Sequence, residues 1–201
     1  MVPRPLRNRY LGQRHGESEA NVAGIVLSDP AEGVPRWGLT PAGRAQIEAA
    51  IGVAAELLGS SPSEVVVVSS DFKRTRETAE LSVTLLGAGP ARLDEALRER
   101  FFGAHEGLGN ERYESVWARD REEPTHTEEG VESAHATALR TASLIERLEG
   151  EASGQTYLLV SHGDALQLLQ TAFLGESPAT HRERPHWPPA EVRLLGGPGS
   201  L

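Results

Sequence analysis

A histidine between an arginine and a glycine is the first group in this chain that could do covalent chemistry. Arg14-His15-Gly16 follows a short extended run at residues 10–13 and precedes Ser18, a residue type that caps helices. A helix N-terminus offers unpaired backbone N–H groups and a positive dipole end, and the planar fork of arginine matches phosphate oxygens. The stretch therefore predicts a phosphate site that contains a nucleophile, with a solvated loop as the alternative.

Four polar motifs each come directly after a predicted strand. Apolar, mostly β-branched runs predict buried strands at 65–68 and 156–160, and weaker patterns predict short strands at 10–13 and 91–93. Because ligands of open α/β sheets bind beyond the carboxyl ends of the strands, we expect these motifs to meet at one edge. The motifs are Arg14-His15-Gly16, Ser70-Asp71 with Arg74, Glu99-Arg100, and His162-Gly163.

Helical patterns separate the predicted strands. Thr40-Pro41 combines a capping residue with proline at the first helical position, and this helix is expected to continue to Leu58, before Gly59. The alternation predicts an α/β protein, a three-layer α/β/α sandwich around a mostly parallel central sheet. The other predicted elements are helices at 72–86, 110–123, 131–148 and 165–174, loops at 28–35 and 124–130, and a last strand at 191–195.

Length and composition set further limits. The 201 residues suit a single domain, 1–201, with flexible ends expected at 1–8 and 196–201. No cysteine is present, which excludes disulfides, thiolate metal sites and a cysteine nucleophile. No stretch approaches the roughly 20 apolar residues that a membrane helix requires, so we expect a cytoplasmic protein with no membrane partner.

The charge balance bears on the partners of the protein. Twenty basic residues stand against 29 acidic ones, for a net charge of -9. This balance argues against a nucleic-acid partner, because such surfaces carry excess positive charge. Lys73 is the single lysine in the chain. The oligomeric state stays open, with a homodimer through an edge strand as one option.

The four motifs together could hold and cleave a phosphomonoester, a small-molecule substrate. Two arginines, two histidines and two helix N-termini would surround the phosphoryl oxygens with positive charge, as phosphoryl transfer requires when no metal provides it. The sequence has no evident magnesium-type carboxylate cluster, so neither a metal nor another cofactor is expected. A neutral imidazole can attack phosphorus, and a carboxylic acid in the same pocket can protonate the leaving alkoxide and then activate water.

The same motifs, taken in order, carry a family resemblance. They are Arg14-His15-Gly16-Glu17-Ser18 with Asn21, Leu39-Thr40-Pro41-Ala42-Gly43, Ser69-Ser70-Asp71-Phe72-Lys73-Arg74 with Glu77-Thr78-Ala79, Leu97-Arg98-Glu99-Arg100 before Gly103, and Ser161-His162-Gly163. On these residues the chain resembles the histidine phosphatase superfamily, also called the phosphoglycerate mutase-like family. The resemblance covers residues 9–174 and implies a phosphoglycerate mutase-like fold.

The resemblance also implies roles for individual residues. His15 would be the nucleophile that becomes phosphorylated, and Glu99 would be the proton donor and later the base. Arg14, Arg74 and His162 would bind the phosphoryl oxygens and stabilise their charge in the transition state. Further substrate contacts would come from Asn21, Arg100 and the backbone of Gly163.

The choice between hydrolysis and phosphoryl exchange depends on a second phosphate site. Phosphoglycerate mutases of this family build it from a lysine after the Glu-Arg-x-x-Gly segment and from a later Trp-Arg-Arg run. Here Asn110 follows Gly107-Leu108-Gly109, and Trp117-Ala118-Arg119 keeps one of the two arginines. A second phosphate would be poorly neutralised. Water is therefore the expected acceptor, and the favoured function is a metal-independent phosphomonoesterase for a small phosphorylated metabolite.

Two alternatives stay open beside the phosphatase. One is a cofactor-dependent phosphoglycerate mutase. The other is a catalytically inactive protein that binds a phosphorylated ligand on the same fold. The presence of both His15 and Glu99, with the expected phosphate-binding side chains, argues against the inactive protein.

Several polar residues lie outside these roles. Asp164 is expected to cap the helix that begins at 165 rather than to act in catalysis. His105 is near enough to Glu99 in sequence to line the pocket. Substrate specificity is expected from segments 28–37 and 101–130, which would overhang the site. Surface or loop positions are expected for His126, His135, His181 and His186.

Overall fold

One mixed sheet lies at the centre of the molecule. Within residues 2, 5–58 and 61–199, which the computed structural model describes, the sheet has five strands in the order β3-β2-β4-β1-β5. Strand β5 pairs antiparallel with β1, whereas the other neighbours pair in parallel. A mostly parallel sheet is therefore confirmed. The strands are β1 (Arg9–Arg14), β2 (Val66–Ser69), β3 (Arg92–Leu93), β4 (Thr156–Ser161) and β5 (Val192–Gly196).

Helices cover both faces of this sheet, and the alternation of side chains along the strands explains why. In β1 the side chain of Tyr10 packs with one hydrophobic cluster and that of Leu11 with another, because successive strand residues point to opposite faces. The first cluster joins the sheet to α6 and α7, and the second joins it to α3 and α4. The three-layer sandwich is confirmed. The α-helices are α1 (Glu19–Ala23), α2 (Pro30–Gly33), α3 (Pro41–Leu58), α4 (Lys73–Leu86), α5 (Arg112–Glu122), α6 (Ala134–Glu151) and α7 (Gly163–Leu174).

Most predicted elements are present, with shifts at their ends. The expected loop at 28–35 contains α2, which begins because the Asp29 side chain accepts a hydrogen bond from the backbone N–H of Ala31 at 2.8 Å. The helix expected from residue 131 begins at Ala134, because Ser133 caps it by accepting from the N–H of Ala136 at 3.1 Å. Gly59, the predicted end of α3, lies outside the described residues. Short 3₁₀ helices at Glu128–Gly130 and Pro178–Glu183 were not predicted.

A buried carboxylate holds the N-terminal segment against α6. Glu149 accepts hydrogen bonds from the backbone N–H groups of Arg7 and Asn8 at 2.9 and 3.1 Å, and from the Tyr10 hydroxyl at 2.8 Å. The flexibility expected for 1–8 and 196–201 stays a prediction, although Asn8 is fully buried. None of the described helices has the length and apolar character needed to cross a membrane.

Candidate active site

The first motif sits where β1 gives way to a tight turn. His15 is anchored through its backbone N–H, which donates to the carbonyl of Ser161 at the end of β4 over 3.0 Å. Gly16 lies against the start of α3, and a Cβ on it would be 2.5 Å from the carbonyl oxygen of Gly43. Ser18 then caps α1 in a reciprocal capping box with Asn21. The turn therefore places His15 at the carboxyl edge of the sheet, as predicted.

The hydrogen bonds of His15 define its tautomer. Its Nδ1 lies 2.7 Å from the carbonyl oxygen of Gly16, and because a carbonyl only accepts, Nδ1 carries the proton. Nε2 then presents a lone pair, which accepts a hydrogen bond from Nε of Arg74 at 3.1 Å. Burial lowers the pKa of His15 well below its ordinary value, and the charges of Arg74 and Arg14 lower it further. The imidazole is therefore neutral and can act as a nucleophile through Nε2.

Arg14 is held by the C-terminal segment of the chain. Its Nη1 donates to the carbonyl of Trp187 at 2.6 Å and lies 3.2 Å from Nε2 of His186. Because a guanidinium only donates, Nε2 of His186 is the acceptor and that ring is neutral. Burial lowers the pKa of His186, and the charges of Arg14 and Arg182 act in the same direction. His186 thus orients Arg14, a role that no sequence motif indicated.

Arg74 reaches His15 from the first turn of α4. Besides its bond to His15, its Nη2 donates to the carbonyl of Leu27 at 3.0 Å, and the guanidinium stacks over the Phe72 ring at 5.0 Å. Burial lowers the pKa of Arg74 to about 10, so the group remains cationic at neutral pH. A fixed cation therefore touches the nucleophilic nitrogen.

His162 occupies the N-cap position of α7, next to His15. The two ring centroids are 5.3 Å apart, and Nε2 of His162 lies 3.0 Å from the Ser70 hydroxyl. Burial lowers the pKa of His162 well below its usual value, and the charge of Arg74 lowers it further. Three buried nitrogens around His15 have no hydrogen-bond partner within the described chain. They are Arg14 Nε, Arg74 Nη1 and His162 Nδ1.

Glu99 closes the site from the loop after β3. One carboxylate oxygen, Oε1, accepts from the backbone N–H of Arg100 at 3.0 Å and from that of Ala165 at 3.1 Å. Burial raises the pKa of Glu99, and the negative charge of Asp164 raises it further, against the opposing effects of Arg74 and the two N–H groups. This carboxyl group therefore keeps its proton at pH values where an ordinary glutamate is ionised.

Arg100 does not point into the site. Its side chain is fully buried and donates to both oxygens of Asp120, at 2.6 and 2.7 Å, and to the carbonyl of Glu132 at 2.6 Å. All these partners are protein groups. We therefore assign Arg100 to the framework behind Glu99, which corrects the substrate contact expected from the sequence.

The other two expected substrate contacts differ in their surroundings. Asn21 is exposed, and its side-chain oxygen accepts from the backbone and hydroxyl of Ser18. Gly163 begins α7 beside the Arg14 guanidinium, and a Cβ on it would lie 3.5 Å from Arg14 Cζ. Substrate contacts from Asn21 and Gly163 stay predictions.

Asp164 and several histidines depart from the expectations. Asp164 makes no capping hydrogen bond among the described residues; its buried carboxylate lies 3.3 Å from Arg100 Nη1 and 3.3 Å from His181 Nε2. His181 is buried in the 3₁₀ helix Pro178–Glu183, not at the surface or in a loop, and its ring faces Asp164. His126 lies in a loop, as expected, but it is buried beside Asp120. His105 is 2.8 Å from Glu129 and lines a separate cavity of about 300 Å³ with Arg112 and Arg119, among others.

Helix α5 contributes a wall that the motifs did not reveal. Tyr113 stacks on Trp117 with ring centroids 5.3 Å apart and meets Phe102 edge to face at 4.8 Å. Burial raises the pKa of Tyr113, and the charge of Glu99 contributes, which places this phenol near the proposed acid. Glu106 fixes the neighbouring turn by accepting from the backbone N–H of Ser28 at 2.9 Å. Tyr113 and Glu106 both belong to segment 101–130, which was expected to determine specificity.

The side chains brought together are two guanidiniums, two imidazoles and a carboxyl group. In the part of the chain that the structure describes, no group of three or more histidine, aspartate or glutamate side chains could hold a metal ion. The arrangement suits a tetrahedral anion beside a neutral imidazole, with a protonated carboxyl group nearby.

Comparisons with known proteins agree with this geometry. The adenosylcobalamin/alpha-ribazole phosphatase of Salmonella typhimurium is 33% identical over 169 residues, which cover 80% of this chain and 77% of that protein. A mycobacterial glucosyl-3-phosphoglycerate phosphatase, solved in complex with VO3, superposes with a TM-score of 0.75 at 25% identity, over 96% of this chain and 99% of the other.

A third comparison concerns the fold alone. Bacillus stearothermophilus YhfR superposes with a TM-score of 0.73 at 24% identity, over 93% of this chain and 90% of that one. The sequence profile of the histidine phosphatase superfamily (branch 1) matches residues 13–199. The match includes His15, Arg74, Glu99 and His162. On this match and the 33% identity to a curated phosphatase, the chain belongs to branch 1 of the histidine phosphatase superfamily.

Proposed function

We propose that the chain is a metal-independent phosphomonoesterase that works through a phosphohistidine at His15 and acts on a small phosphorylated metabolite. The observation that carries the proposal is the set of three buried, unpartnered nitrogens beside His15, on Arg14, Arg74 and His162. An unsatisfied buried donor costs about 1–3 kcal/mol. The oxygens of one phosphoryl group would satisfy all three nitrogens at once.

The first chemical step transfers the phosphoryl group to the protein. The hydrogen bond from Arg74 Nε to Nε2 of His15 breaks, and the lone pair on Nε2 attacks phosphorus. A P–N bond forms, and the bond from phosphorus to the leaving oxygen breaks. Glu99 gives its proton to that oxygen, so the alcohol departs neutral and Glu99 becomes a carboxylate. The raised pKa of Glu99 and the lowered pKa of His15 suit these two roles.

The second step returns the protein to its starting state. The Glu99 carboxylate takes a proton from a water molecule, whose oxygen bonds to phosphorus while the P–N bond breaks. Inorganic phosphate leaves, His15 is again neutral, and Glu99 is again protonated. Arg14 and Arg74 supply the positive charge for both transition states, and hydrogen bonds to the carbonyls of Trp187 and Leu27 hold the two guanidiniums in place.

Water as the acceptor has support from the chain and from its relatives. The chain lacks the lysine of a second phosphate site, because its single lysine, Lys73, lies in α4. The relatives include an adenosylcobalamin/alpha-ribazole phosphatase and a glucosyl-3-phosphoglycerate phosphatase, so a small phosphorylated metabolite is the proposed class of substrate.

Hydrolysis of p-nitrophenyl phosphate in EDTA at about pH 6 tests this function. We expect turnover by the native chain and a loss of about a thousandfold or more in His15→Ala, because no other group replaces the nucleophile. His135→Ala is the matched control, since His135 is exposed on α6 and should leave the rate unchanged.

Three results would contradict the proposal. They are activity that disappears with EDTA, activity that survives in His15→Ala, and isomerisation of 3-phosphoglycerate stimulated by a bisphosphate primer. If the native chain hydrolyses the probe as expected, a panel that contains glucosyl-3-phosphoglycerate and alpha-ribazole phosphate would then rank natural substrates.

A further inference from the structure

Two carboxyl groups share the N-terminus of α7, and among the described residues only Asp164 lies within 4.0 Å of a guanidinium nitrogen. Asp164 lies in the first turn, and Glu99 accepts from the N–H of Ala165 in the same turn. Asp164 is 3.3 Å from both Arg100 Nη1 and His181 Nε2, and 4.0 Å from Arg182 Nη1. Glu99 has no ion pair among the described residues.

A further aspartate, Asp120, holds Arg100 in place beside Asp164. Arg100 donates hydrogen bonds to both oxygens of Asp120, at 2.6 and 2.7 Å. Oδ1 of Asp120 also lies 3.0 Å from Nε2 of His126. His181 donates from Nδ1 to the carbonyl of Pro178 at 2.8 Å, which turns Nε2 toward Asp164. Because Asp120, Arg100 and His181 are fully buried, their positions relative to Asp164 are fixed by packing.

We propose that Asp164 is a positioning residue for the catalytic proton: its carboxylate, held as an anion by Arg100, His181 and Arg182, makes Glu99 the carboxyl group that carries the proton into the reaction. The inference rests on the proposed function, in which Glu99 protonates the leaving oxygen. Asp164, which follows His162-Gly163 in the sequence, would thus act on the protonation of Glu99.

The electrostatics of the pair agree with this assignment. Burial alone would raise the pKa of Asp164, but His181, Arg100 and Arg182 overcome that effect and hold it well below its ordinary value. The pKa of Glu99 is raised instead, by burial first and by Asp164 second. When their environments shift the pKa values of two neighbouring carboxyl groups in opposite directions, the group with the raised pKa is the acid.

Other groups near Glu99 also act on its pKa. The Arg74 cation opposes Asp164, and the ring of Tyr113 stays neutral. Arg140 of α6 donates to the backbone carbonyl of Glu99 at 3.1 Å, not to its carboxyl group. The charged and titratable groups that face Glu99 are Arg14 of β1, Arg74 of α4, Tyr113 of α5, Arg140 of α6 and Asp164 of α7.

The test is the pH dependence of kcat/KM for two substrates of similar shape, phenyl phosphate and p-nitrophenyl phosphate. Phenolate needs a proton on leaving, so its rate falls as pH rises through the pKa of Glu99, whereas nitrophenolate hardly needs one. In Asp164→Asn we expect the basic limb for phenyl phosphate to move down by about one pH unit. At pH values above the basic limb, Asp164→Asn should lose about tenfold more kcat/KM for phenyl phosphate than for p-nitrophenyl phosphate, relative to the native chain.

Asp71→Asn is the matched control. It removes one carboxylate that is paired with Arg98, the residue before Glu99, yet Asp71 is not among the main charges that act on Glu99. In Asp71→Asn the basic limb of the pH profile for phenyl phosphate should lie at the same pH as in the native chain. An unmoved limb in Asp164→Asn, or an equal shift in Asp71→Asn, would overturn the inference. Absence of any hydrolysis by the native chain would instead overturn the proposed function.

If Asp164→Asn does not fold, a second measurement tests whether Glu99 is the carboxyl group that carries the proton. Infrared difference spectra of the native chain and Glu99→Gln, at about pH 6, detect the carbonyl band of a protonated buried carboxyl group. We expect a band that is present in the native chain and lost in Glu99→Gln. A band that survives in Glu99→Gln would place the proton on a carboxyl group other than Glu99 and contradict the inference.

Discussion

The protonation of single imidazole rings determines what this site can do. In His15, the hydrogen bond from Nδ1 to Gly16 leaves a lone pair on Nε2, the atom that Arg74 contacts. In His186, the lone pair accepts a hydrogen bond from Arg14. The lowered pKa of His15 has a definite sign: the ring stays neutral, and therefore nucleophilic, to pH values well below the ordinary pKa of histidine.

His186→Ala tests the role of that second ring. Loss of the acceptor leaves Arg14 with one fixed partner at Nη1, the carbonyl of Trp187. We expect kcat/KM for p-nitrophenyl phosphate to fall about tenfold, because the guanidinium that we propose to bind phosphate is less well oriented. His186→Gln, whose amide oxygen can accept, should recover part of the loss. An unchanged kcat/KM in His186→Ala would contradict the orienting role.

The residues that sequence reasoning missed or misplaced are those whose partners lie far along the chain. Arg14, His15, Arg74, Glu99 and His162 belong to motifs at strand ends, so their meeting at one edge followed from the sheet. Distant partners have no such signature. Arg100 follows Glu99 directly but turns to a residue 20 positions away, and His186 is 172 positions from Arg14.

At the scale of elements, the turn after β1 depends on a close crossing with the start of α3. Gly16 and Gly43 face each other there, and a Cβ on Gly43 would collide with the backbone oxygen of Glu17. Thr40 bridges the crossing, because its backbone N–H donates to the carbonyl of Glu17 at 3.0 Å. The start and length of α3 were predictable from Thr40-Pro41, but its contact with the catalytic turn was not, because a glycine in a helix has no local signal for what it touches.

Gly43→Ala should therefore damage both stability and catalysis. We expect the free energy of unfolding to fall by about 1–3 kcal/mol, since the added methyl group forces backbone apart, and kcat to fall because His15 moves with the turn. Gly52→Ala in the same helix is the control, because nothing lies within 4 Å of its Cβ position.

Gly52→Ala should gain up to about 1 kcal/mol from helix propensity without a change in kcat. Urea unfolding and turnover of p-nitrophenyl phosphate measure both variants. Equal behaviour of Gly43→Ala and Gly52→Ala would contradict the crossing as a determinant of the site.

At the scale of the whole molecule, an acidic protein concentrates positive charge at one edge of its sheet. The net charge is -9, yet the half-buried guanidinium of Arg14, the buried guanidinium of Arg74 and the N-termini of α4 and α7 surround His15. The sandwich was predictable because buried strands and helices alternate in the sequence. The single domain, its flexible ends, the cytoplasmic location and a homodimer through an edge strand stay predictions, since they depend on surfaces for which the residue pattern gives no specific signal.

The most direct test of this account is to find the phosphoryl group on His15. Glu99→Gln should form the intermediate from p-nitrophenyl phosphate, whose leaving group hardly needs a proton, but should hydrolyse it slowly because the base is gone. Rapid mixing with alkaline quenching and mass spectrometry should then show one acid-labile phosphoryl group per chain, on His15. Release of nitrophenol with no phosphoryl group on the protein, or with the group on another residue, would contradict the account.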